Sequence, residues 1–138
     1  MKLFSPFLFV LSLLLVLIFS QTVRSEELTN EVFLLERNDK LMAFSSLGNN
    51  WFEKKLHTGE TVVKSIYDGN VAVAYTSERA LAFSGISNRW SEERFRIRES
   101  VVSISAEGNV GTIITTIRAL GFSAKSGGWI ESFFTIGQ

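Results

Sequence analysis

Residues 79–92 read RALAFSGISNRWSE, and the same pattern stands earlier in the chain, at 40–53, as KLMAFSSLGNNWFE. It stands again at 118–131, as RALGFSAKSGGWIE, so the three copies are evenly spaced. Each copy begins with a basic residue, passes through Phe-Ser and ends in Trp-x-Glu. Self-similarity at a period of about 40 residues is typical of arrays built from one supersecondary unit. The sequence therefore predicts repeat units at about 32–60, 61–99 and 100–138, within a domain that spans 26–138.

Each repeat reads as a set of short β-strands. Apolar runs rich in Val, Ile, Thr and Phe lie between turn signals, which favours strands over helices. In the middle repeat the pattern predicts strands at 61–67, 71–76, 80–84 and 90–95. Gly-Asn pairs at 69–70 and 108–109 predict tight hairpins, because both residues accept a positive φ. The sequence thus predicts an all-β protein made of antiparallel four-stranded repeats, with eleven strands because the first repeat lacks its first strand.

Two folds fit this repeat. The second and third strands are apolar on both faces, the fourth is charged, and the first is small and mixed, which suits a crowded inner position. In period and strand pattern the chain resembles β-propeller repeat proteins from Val32 to its end, and the resemblance implies a partial β-propeller of about three blades. The alternative is a β-trefoil, which uses three units of similar length and closes without a partner.

The N-terminal segment 1–25 differs in kind from the rest. Lys2 precedes an apolar run from Phe7 to Phe19 that only Ser12 interrupts. This pattern predicts a signal peptide at 1–25, with Ser25 as the last residue removed, and a secreted or periplasmic protein. The run is too short for a spanning helix, which needs about 17–25 residues, so we expect no stable membrane span after cleavage. An uncleaved N-terminal membrane anchor is the alternative, since the run extends back towards Leu3.

Composition narrows the classes of partner. Loss of 1–25 removes Lys2 and Arg24 and leaves twelve basic and fourteen acidic side chains. A slightly acidic domain does not suit nucleic acid, whose phosphates require a basic face. The chain has no cysteine and a single histidine, His57. We therefore predict no metal site, no cofactor and no catalytic residues, and a protein that is not an enzyme; His57 is expected at the surface.

A repeated set of polar and aromatic side chains is the candidate for ligand binding. Residues two apart on a strand share a face, so each Trp of a Trp-x-Glu unit lies on the face of its Glu. An indole stacks on the C–H groups of a sugar while a carboxylate and a guanidinium bind its hydroxyls. The set is similar to the Arg, Glu and Trp sites of fucose-binding propeller lectins, a resemblance that implies a carbohydrate-binding site at each complete set: Arg79, Trp90 and Glu92, and Arg118, Trp129 and Glu131.

Structural roles explain the same residues. A Trp that recurs once per unit commonly packs between units, and an Arg-Glu pair at a surface stabilises a protein by only about 0–1 kcal/mol. Lys40 stands where the other repeats have Arg, so the set with Trp51 and Glu53 departs from the pattern. Glu60 and Glu99 recur before the first strand of a repeat, where such carboxylates pair with a basic residue or cap a turn, and where two of them could flank a glycosidic bond. We expect solvated turn residues.

The chain ends predict self-association. Two and three-quarter blades cannot close a propeller, which needs at least about four. The last edge carries Phe133 and Phe134, and the first repeat lacks the strand that would cover its inner edge. Either copies of the chain associate, or the chain is a shortened relative of a longer propeller. We expect a homo-oligomer in a binding or assembly module, with a glycan or another protein as the other partner.

Overall fold

The computed structural model describes residues 29–135, and this range contains eleven β-strands and no helix. The strands form three separate sheets in which every neighbouring pair is antiparallel. The first sheet contains β1 to β3, the middle sheet β4 to β7 and the third sheet β8 to β11. The strands are β1 (Val32–Glu36), β2 (Lys40–Ser45), β3 (Asn50–Lys55), β4 (Val62–Asp68), β5 (Val71–Thr76), β6 (Arg79–Ser84), β7 (Arg89–Arg94), β8 (Val101–Glu107), β9 (Val110–Thr115), β10 (Arg118–Ser123) and β11 (Gly128–Phe133).

Tight turns join consecutive strands of each sheet. Gly69 and Gly108 have φ of +52° and +57° at the β4–β5 and β8–β9 turns. A Cβ on Gly69 would lie 2.5 Å from the carbonyl oxygen of Gly108, so the two turns also pack closely on each other. Glycine is therefore required at Gly69 for two reasons, a left-handed backbone and the close approach of a neighbouring sheet.

The three sheets stack face to face around two apolar clusters. The first cluster lies between the first and middle sheets, where Phe83 packs with Leu41 and Ala43. The second lies between the middle and third sheets, where Val73 packs with Phe122. Within the described range only the middle sheet has a neighbour on both faces. The side chains of β5 and β6 are accordingly buried on both faces, apart from the partly buried Tyr75.

Within residues 29–135 each end sheet has one face that no other sheet covers. The leading face is the outer face of the first sheet, and it presents Phe33, Leu35, Phe44 and Trp51. The trailing face is the outer face of the third sheet, and it presents Val110, Thr112, Ile114, Ala119, Gly121 and Ile130. Strand burial alternates in β2, β9 and β10, as expected of sheets that are covered on one side only.

Hydrogen bonds at the spacing of the repeat connect neighbouring sheets. Ser45 Oγ donates to the carbonyl oxygen of Gly85 at 3.1 Å, and Ser84 Oγ donates to that of Ala124 at 2.5 Å. The backbone N–H of Glu31 donates to Gly69 O, and its counterpart in the next repeat, Asn70, donates to Gly108 O, both at 2.8 Å. The two junctions between sheets are therefore built from equivalent contacts.

The all-β antiparallel prediction is confirmed, and each strand predicted in the middle repeat lies within one residue of an observed strand. The expectation of a crowded first strand is wrong within this chain, because many side chains of β4 and β8 are exposed. The predicted signal peptide at 1–25 lies outside the described residues. Among the residues described, no helix is long and apolar enough to cross a membrane.

Candidate functional site: two buried arginines and three tryptophans

Arg79 lies at the start of β6 with only 3% of its surface exposed. Its Nε and Nη2 donate to the carboxylate of Glu60, with Nη2 2.8 Å from Oε1. Nη2 also donates to the carbonyl oxygen of Lys55 in the first sheet at 3.1 Å, and Nη1 donates to Glu92. One guanidinium thus joins the Glu60 loop, the outer strand β7 and the end of the neighbouring sheet.

Arg118 repeats this arrangement one unit later, and it is 1% exposed. Nε and Nη2 donate to the two carboxylate oxygens of Glu99, at 2.8 and 3.1 Å. Nη2 also donates to the carbonyl oxygen of Arg94 at 2.7 Å, while Nη1 donates to Glu93 and Glu131. A guanidinium has five N–H donors, so Arg118 has none left for a ligand.

A short hydroxyl turn places each arginine at the start of its strand. Thr76 Oγ1 accepts hydrogen bonds from the backbone N–H groups of Glu78 and Arg79, and Thr115 Oγ1 does the same for Ile117 and Arg118. A Thr side chain that caps a turn in this way explains the tight link between the second and third strands of the repeat. The arginine side chain then points into the junction with the preceding sheet.

The buried carboxylates are ionised partners of the arginines. Burial alone would raise the pKa of Glu60, but the hydrogen bonds and charge of Arg79 outweigh it, and the pKa lies below its ordinary value. Arg118 acts in the same way against burial and lowers the pKa of Glu99. Burial opposes the charge of Arg79 and Arg118 too, yet their carboxylate partners raise the pKa of both. All four groups are therefore charged at neutral pH.

Sequence reasoning missed Glu60 and Glu99 as partners of the arginines. The expectation that both are solvated is wrong, because both side chains are fully buried. The alternative that they cap a turn is confirmed, since Glu60 accepts from the backbone N–H of His57 and Glu99 from that of Arg96. Their recurrence at the period of the repeat was the available signal. What the sequence could not show is that the loop before the first strand folds back over the start of the third strand, where Arg79 and Arg118 lie.

The tryptophans lie at the sheet junctions and not beside the arginines. Trp90 pairs with Phe83 across the strands, and Phe83 is four residues from Arg79 along β6, about 13 Å at the usual rise. Its indole Nε1 donates to the carbonyl oxygen of Phe52 in the first sheet at 3.0 Å. The structure therefore brings Arg79 and Glu92 together, and Arg118 and Glu131, but it separates Trp90 from its arginine along the strand.

The three tryptophans differ in how far a neighbouring sheet buries them. Trp129 packs against Phe122 with ring centroids 5.4 Å apart, as Trp90 packs against Phe83 at 5.3 Å. Trp51 packs on Phe44 in the same way, yet it is 41% exposed because no sheet lies over it within the described range. Trp51 therefore packs on the phenylalanine of its own sheet as Trp90 and Trp129 do, but it lacks contacts with a preceding sheet.

Lys40 holds the position of the arginines in the first sheet. Its Nζ lies 2.8 Å from Glu53 Oε1, in an exposed ion pair that raises the pKa of Lys40. Both of the arginines also donate to a carbonyl oxygen at the end of the preceding sheet, as Arg79 does to Lys55. Lys40 has no preceding sheet within residues 29–135 from which such a carbonyl could come.

His57, Glu60 and Glu78 form the one cluster of potential metal ligands found among the described residues, with ligand atoms within 4.8 Å of one another. His57 Nδ1 lies 2.8 Å from Glu78 Oε2 and 3.5 Å from Glu60 Oε2. Both oxygens of Glu60 already accept hydrogen bonds from Arg79. A metal ion would have to displace that guanidinium, so the geometry fits a surface hydrogen bond between His57 and Glu78 better than a metal centre.

Neither a family model, nor a curated protein, nor a solved structure matches this chain. Its function must therefore be inferred from its own contacts. The most distinctive of these are the two equivalent junctions between sheets and the two apolar faces left open at the ends of the stack.

Proposed function

We propose that this chain is an exported, non-enzymatic, β-propeller-like repeat domain that acts as an assembly module through its leading and trailing faces. One observation carries the proposal. Positions that are fully buried in the middle sheet, such as Val71 and Ala72, correspond to Val110 and Phe33 at the ends, which are 52% and 47% exposed. Apolar faces of this kind are typical of surfaces that bind another protein.

The arrangement of the sheets supports a propeller-like shape over a trefoil. Contacts between neighbouring sheets are densest along β1, β4 and β8 and sparser between the outer strands β3, β7 and β11. Sheets that approach closely on one side and separate on the other fan out around an axis, as propeller blades do. Sheets with cover on both faces, as in β5 and β6, also fit blades better than barrel strands, which have one wet face.

Export is part of the same proposal. The apolar run before residue 20 and the small residues near Ser25 support a cleaved signal peptide, and a cysteine-free domain folds by packing alone in an oxidising compartment. The mature domain would then be secreted or periplasmic. N-terminal sequencing of the exported protein tests this step, with Glu26 expected as the first residue.

The test of assembly is the molar mass of residues 26–138 in solution. Size-exclusion chromatography with light scattering should give a discrete mass above that of one chain at micromolar concentration. A monomeric mass over the whole accessible concentration range would contradict the proposal. Unfolded aggregates are distinguished from assembly by far-ultraviolet circular dichroism, which should retain the β-sheet signal.

Carbohydrate binding at Arg79, Trp90 and Glu92, or at Arg118, Trp129 and Glu131, is a weaker proposal. The guanidinium donors of Arg118 are all engaged, and the indole N–H of Trp90 is bound to Phe52 O. A sugar would have to replace bonds that join the sheets. A glycan array on the purified domain should therefore give no signal, and a saturable signal lost in Glu92→Gln would restore the lectin function.

A further inference from the structure

The two open faces are the two halves of a junction that the chain already contains twice. The face of the middle sheet that carries Ala72 and Phe83 packs against the first sheet, and its opposite face, with Val71 and Val73, packs against the third. At the spacing of the repeat, the leading face carries the counterparts of Ala72 and Phe83. The trailing face carries the counterparts of Val71 and Val73. The ends of the stack are therefore unlike each other and complementary in position.

We propose that the trailing face of one copy of this chain packs on the leading face of a second copy, in the geometry of the internal junctions. This inference rests on the assembly function proposed above, and it adds the occupant, the orientation and the residue pairs. The contact is head-to-tail, so that one surface meets a different surface. Contacts of this class form closed rings when the rotation between copies closes, and open filaments when it does not.

Side-chain volumes at the two faces differ from those at the internal junctions. Phe33 stands where the other sheets have Ala72 and Gly111. A Cβ on Gly111 would overlap Val73 and would lie 3.0 Å from Val71 Cγ1, so the position of Phe33 is pressed against the neighbouring sheet.

On the trailing face Gly121 leaves open space beside the position that Phe33 would face. Gly121 lies directly across the strands from Thr112, the counterpart of Val73. A Cβ on Gly121 would meet only one atom within 4 Å, the carbonyl oxygen of Ile130. The trailing face is therefore hollow beside the place that the larger side chain of the leading face would occupy.

The internal hydrogen bonds define the bonds expected between copies. Ser45 and Ser84 donate across a junction to Gly85 O and Ala124 O, so Ser123 would donate to the carbonyl oxygen of Ser46 in the second copy. Ser123 is only partly buried in one chain, which leaves its hydroxyl within reach of such a partner.

The basic residue and the tryptophan extend the same scheme. Arg79 and Arg118 donate to carbonyl oxygens at the end of the preceding sheet, so Lys40 of the second copy would donate to Phe133 O. In the first junction Trp90 donates to Phe52 O, whereas in the second Trp129 Nε1 has no hydrogen-bond partner among the described residues. On the pattern of the first junction, Trp51 of the second copy would donate to Ile130 O. Ile130 is 77% exposed in the single chain, and the junction would cover it.

A disulfide between copies tests this geometry directly, since the chain has no cysteine of its own. A Cβ on Gly85 would lie 2.6 Å from Val32 Cγ2 across the first internal junction. The corresponding pair between copies is Ser46 and Val110, both exposed in the single chain. Within one chain the middle sheet separates these two positions, so a disulfide between them must join two copies.

The experiment mixes the full mature domain carrying Ser46→Cys with the same domain carrying Val110→Cys, under mild oxidation. The mixture should give a disulfide-linked dimer, and each variant alone should give far less. Linkage of either variant to itself would indicate like-to-like packing and overturn the head-to-tail junction. Val102→Cys mixed with Ser46→Cys is the control, because Val102 and its counterpart Val63 in the middle sheet are both exposed and lie outside the junction.

The molar mass of the reduced variants distinguishes a failure of the head-to-tail junction from a failure of the assembly function. An oligomeric mass without the mixed disulfide would overturn this junction and leave the assembly function standing. A monomeric mass of the unmodified domain would overturn both. The mixed disulfide together with an oligomeric mass is the result expected.

Discussion

The middle and third sheets have four equivalent strands each, but the middle sheet is covered on both faces and the third sheet on one face. Val71 and Val73 of the middle sheet are fully buried, whereas Val110 and Thr112, their counterparts in the third sheet, are exposed and partly buried. The strand sequences VAVAYT and VGTIIT are both apolar enough for a covered sheet. Burial on both faces therefore depends on a neighbouring sheet on each side. The third sheet has the composition of a sheet with two neighbours, and the described residues supply only one.

Truncation of the phenylalanine in the middle sheet should destabilise the fold most. Phe83→Ala should lower the free energy of unfolding by about 4 kcal/mol, because the ring is fully buried between Phe52 and Trp90. Phe44→Ala, the same change on the leading face, should have a clearly smaller effect in the dissociated chain. Urea unfolding at low protein concentration measures both. Equal losses would mean that Phe44 is as covered as Phe83.

The buried carboxylate gives the next comparison. Glu60→Gln leaves the guanidinium of Arg79 with the exposed Glu92 as its remaining carboxylate partner. It should destabilise the fold by about 3 kcal/mol, since breaking a buried ion pair leaves a buried charge poorly compensated. Glu53→Gln, which breaks the exposed pair with Lys40, should change stability by at most about 1 kcal/mol. Thermal unfolding of the two variants at neutral pH tests the pair. A similar loss for both would show that Glu60 is not the main partner of Arg79.

Acid should destabilise the fold through the same carboxylates. A free Glu titrates near pH 4.3, and the pKa of Glu60 and of Glu99 is lower in the folded chain. The unfolded chain therefore binds more protons, and the stabilisation is complete above about pH 5 and is lost as pH falls through the folded pKa. Urea unfolding between pH 7 and pH 3 should show this loss, and Glu60→Gln should reduce its slope. An unchanged slope in the variant would contradict the pKa assignment.

Two glycines compare a covered position with an open one. Gly111→Ala should destabilise the fold by about 1–3 kcal/mol, because the added methyl group overlaps Val73 in the junction. The methyl group that Gly121→Ala adds points to the open trailing face. The free energy of unfolding of the dissociated chain should therefore change by at most about 0.5 kcal/mol. Urea unfolding of both variants at low concentration provides the measurement. A loss for Gly121→Ala as large as that for Gly111→Ala would show that the trailing face is already filled.

A substitution at Ile130 should change the stability of the single chain least and the assembly strongly. Ile130→Lys changes a side chain that is mostly exposed, so the free energy of unfolding of the single chain should change by at most about 0.5 kcal/mol. A buried lysine would oppose the proposed junction, and the light-scattering mass should fall to that of one chain. Val102→Lys, which adds the same charge at an exposed position outside the junction, is the matched control and should leave the mass unchanged. A full-size assembly of Ile130→Lys would exclude the trailing face.

The sequence pattern predicted the strands well and the contacts between sheets poorly. The repeat period and the Gly-Asn turns place β4 to β7 within one residue, because turn chemistry and alternation are local properties. The pairing of Arg79 with Glu60 was missed because it depends on how a loop folds across the end of a sheet. The same limit explains why Trp90 and Glu92, two residues apart on one face, were expected to share a site with Arg79.

Hydrogen exchange of the Trp51 indole N–H reports whether a second copy of the chain covers the leading face. Proton–nitrogen correlation spectra of the mature domain should show three indole signals, and Trp51→Phe assigns the one that matters. At concentrations where the mass is oligomeric, the Trp51 indole should exchange slowly, as a group bound to the Ile130 carbonyl of a second copy does, and it should exchange fast after dilution. A Trp51 indole that exchanges freely in the assembled protein would show that the leading face is not covered, and it would contradict the account.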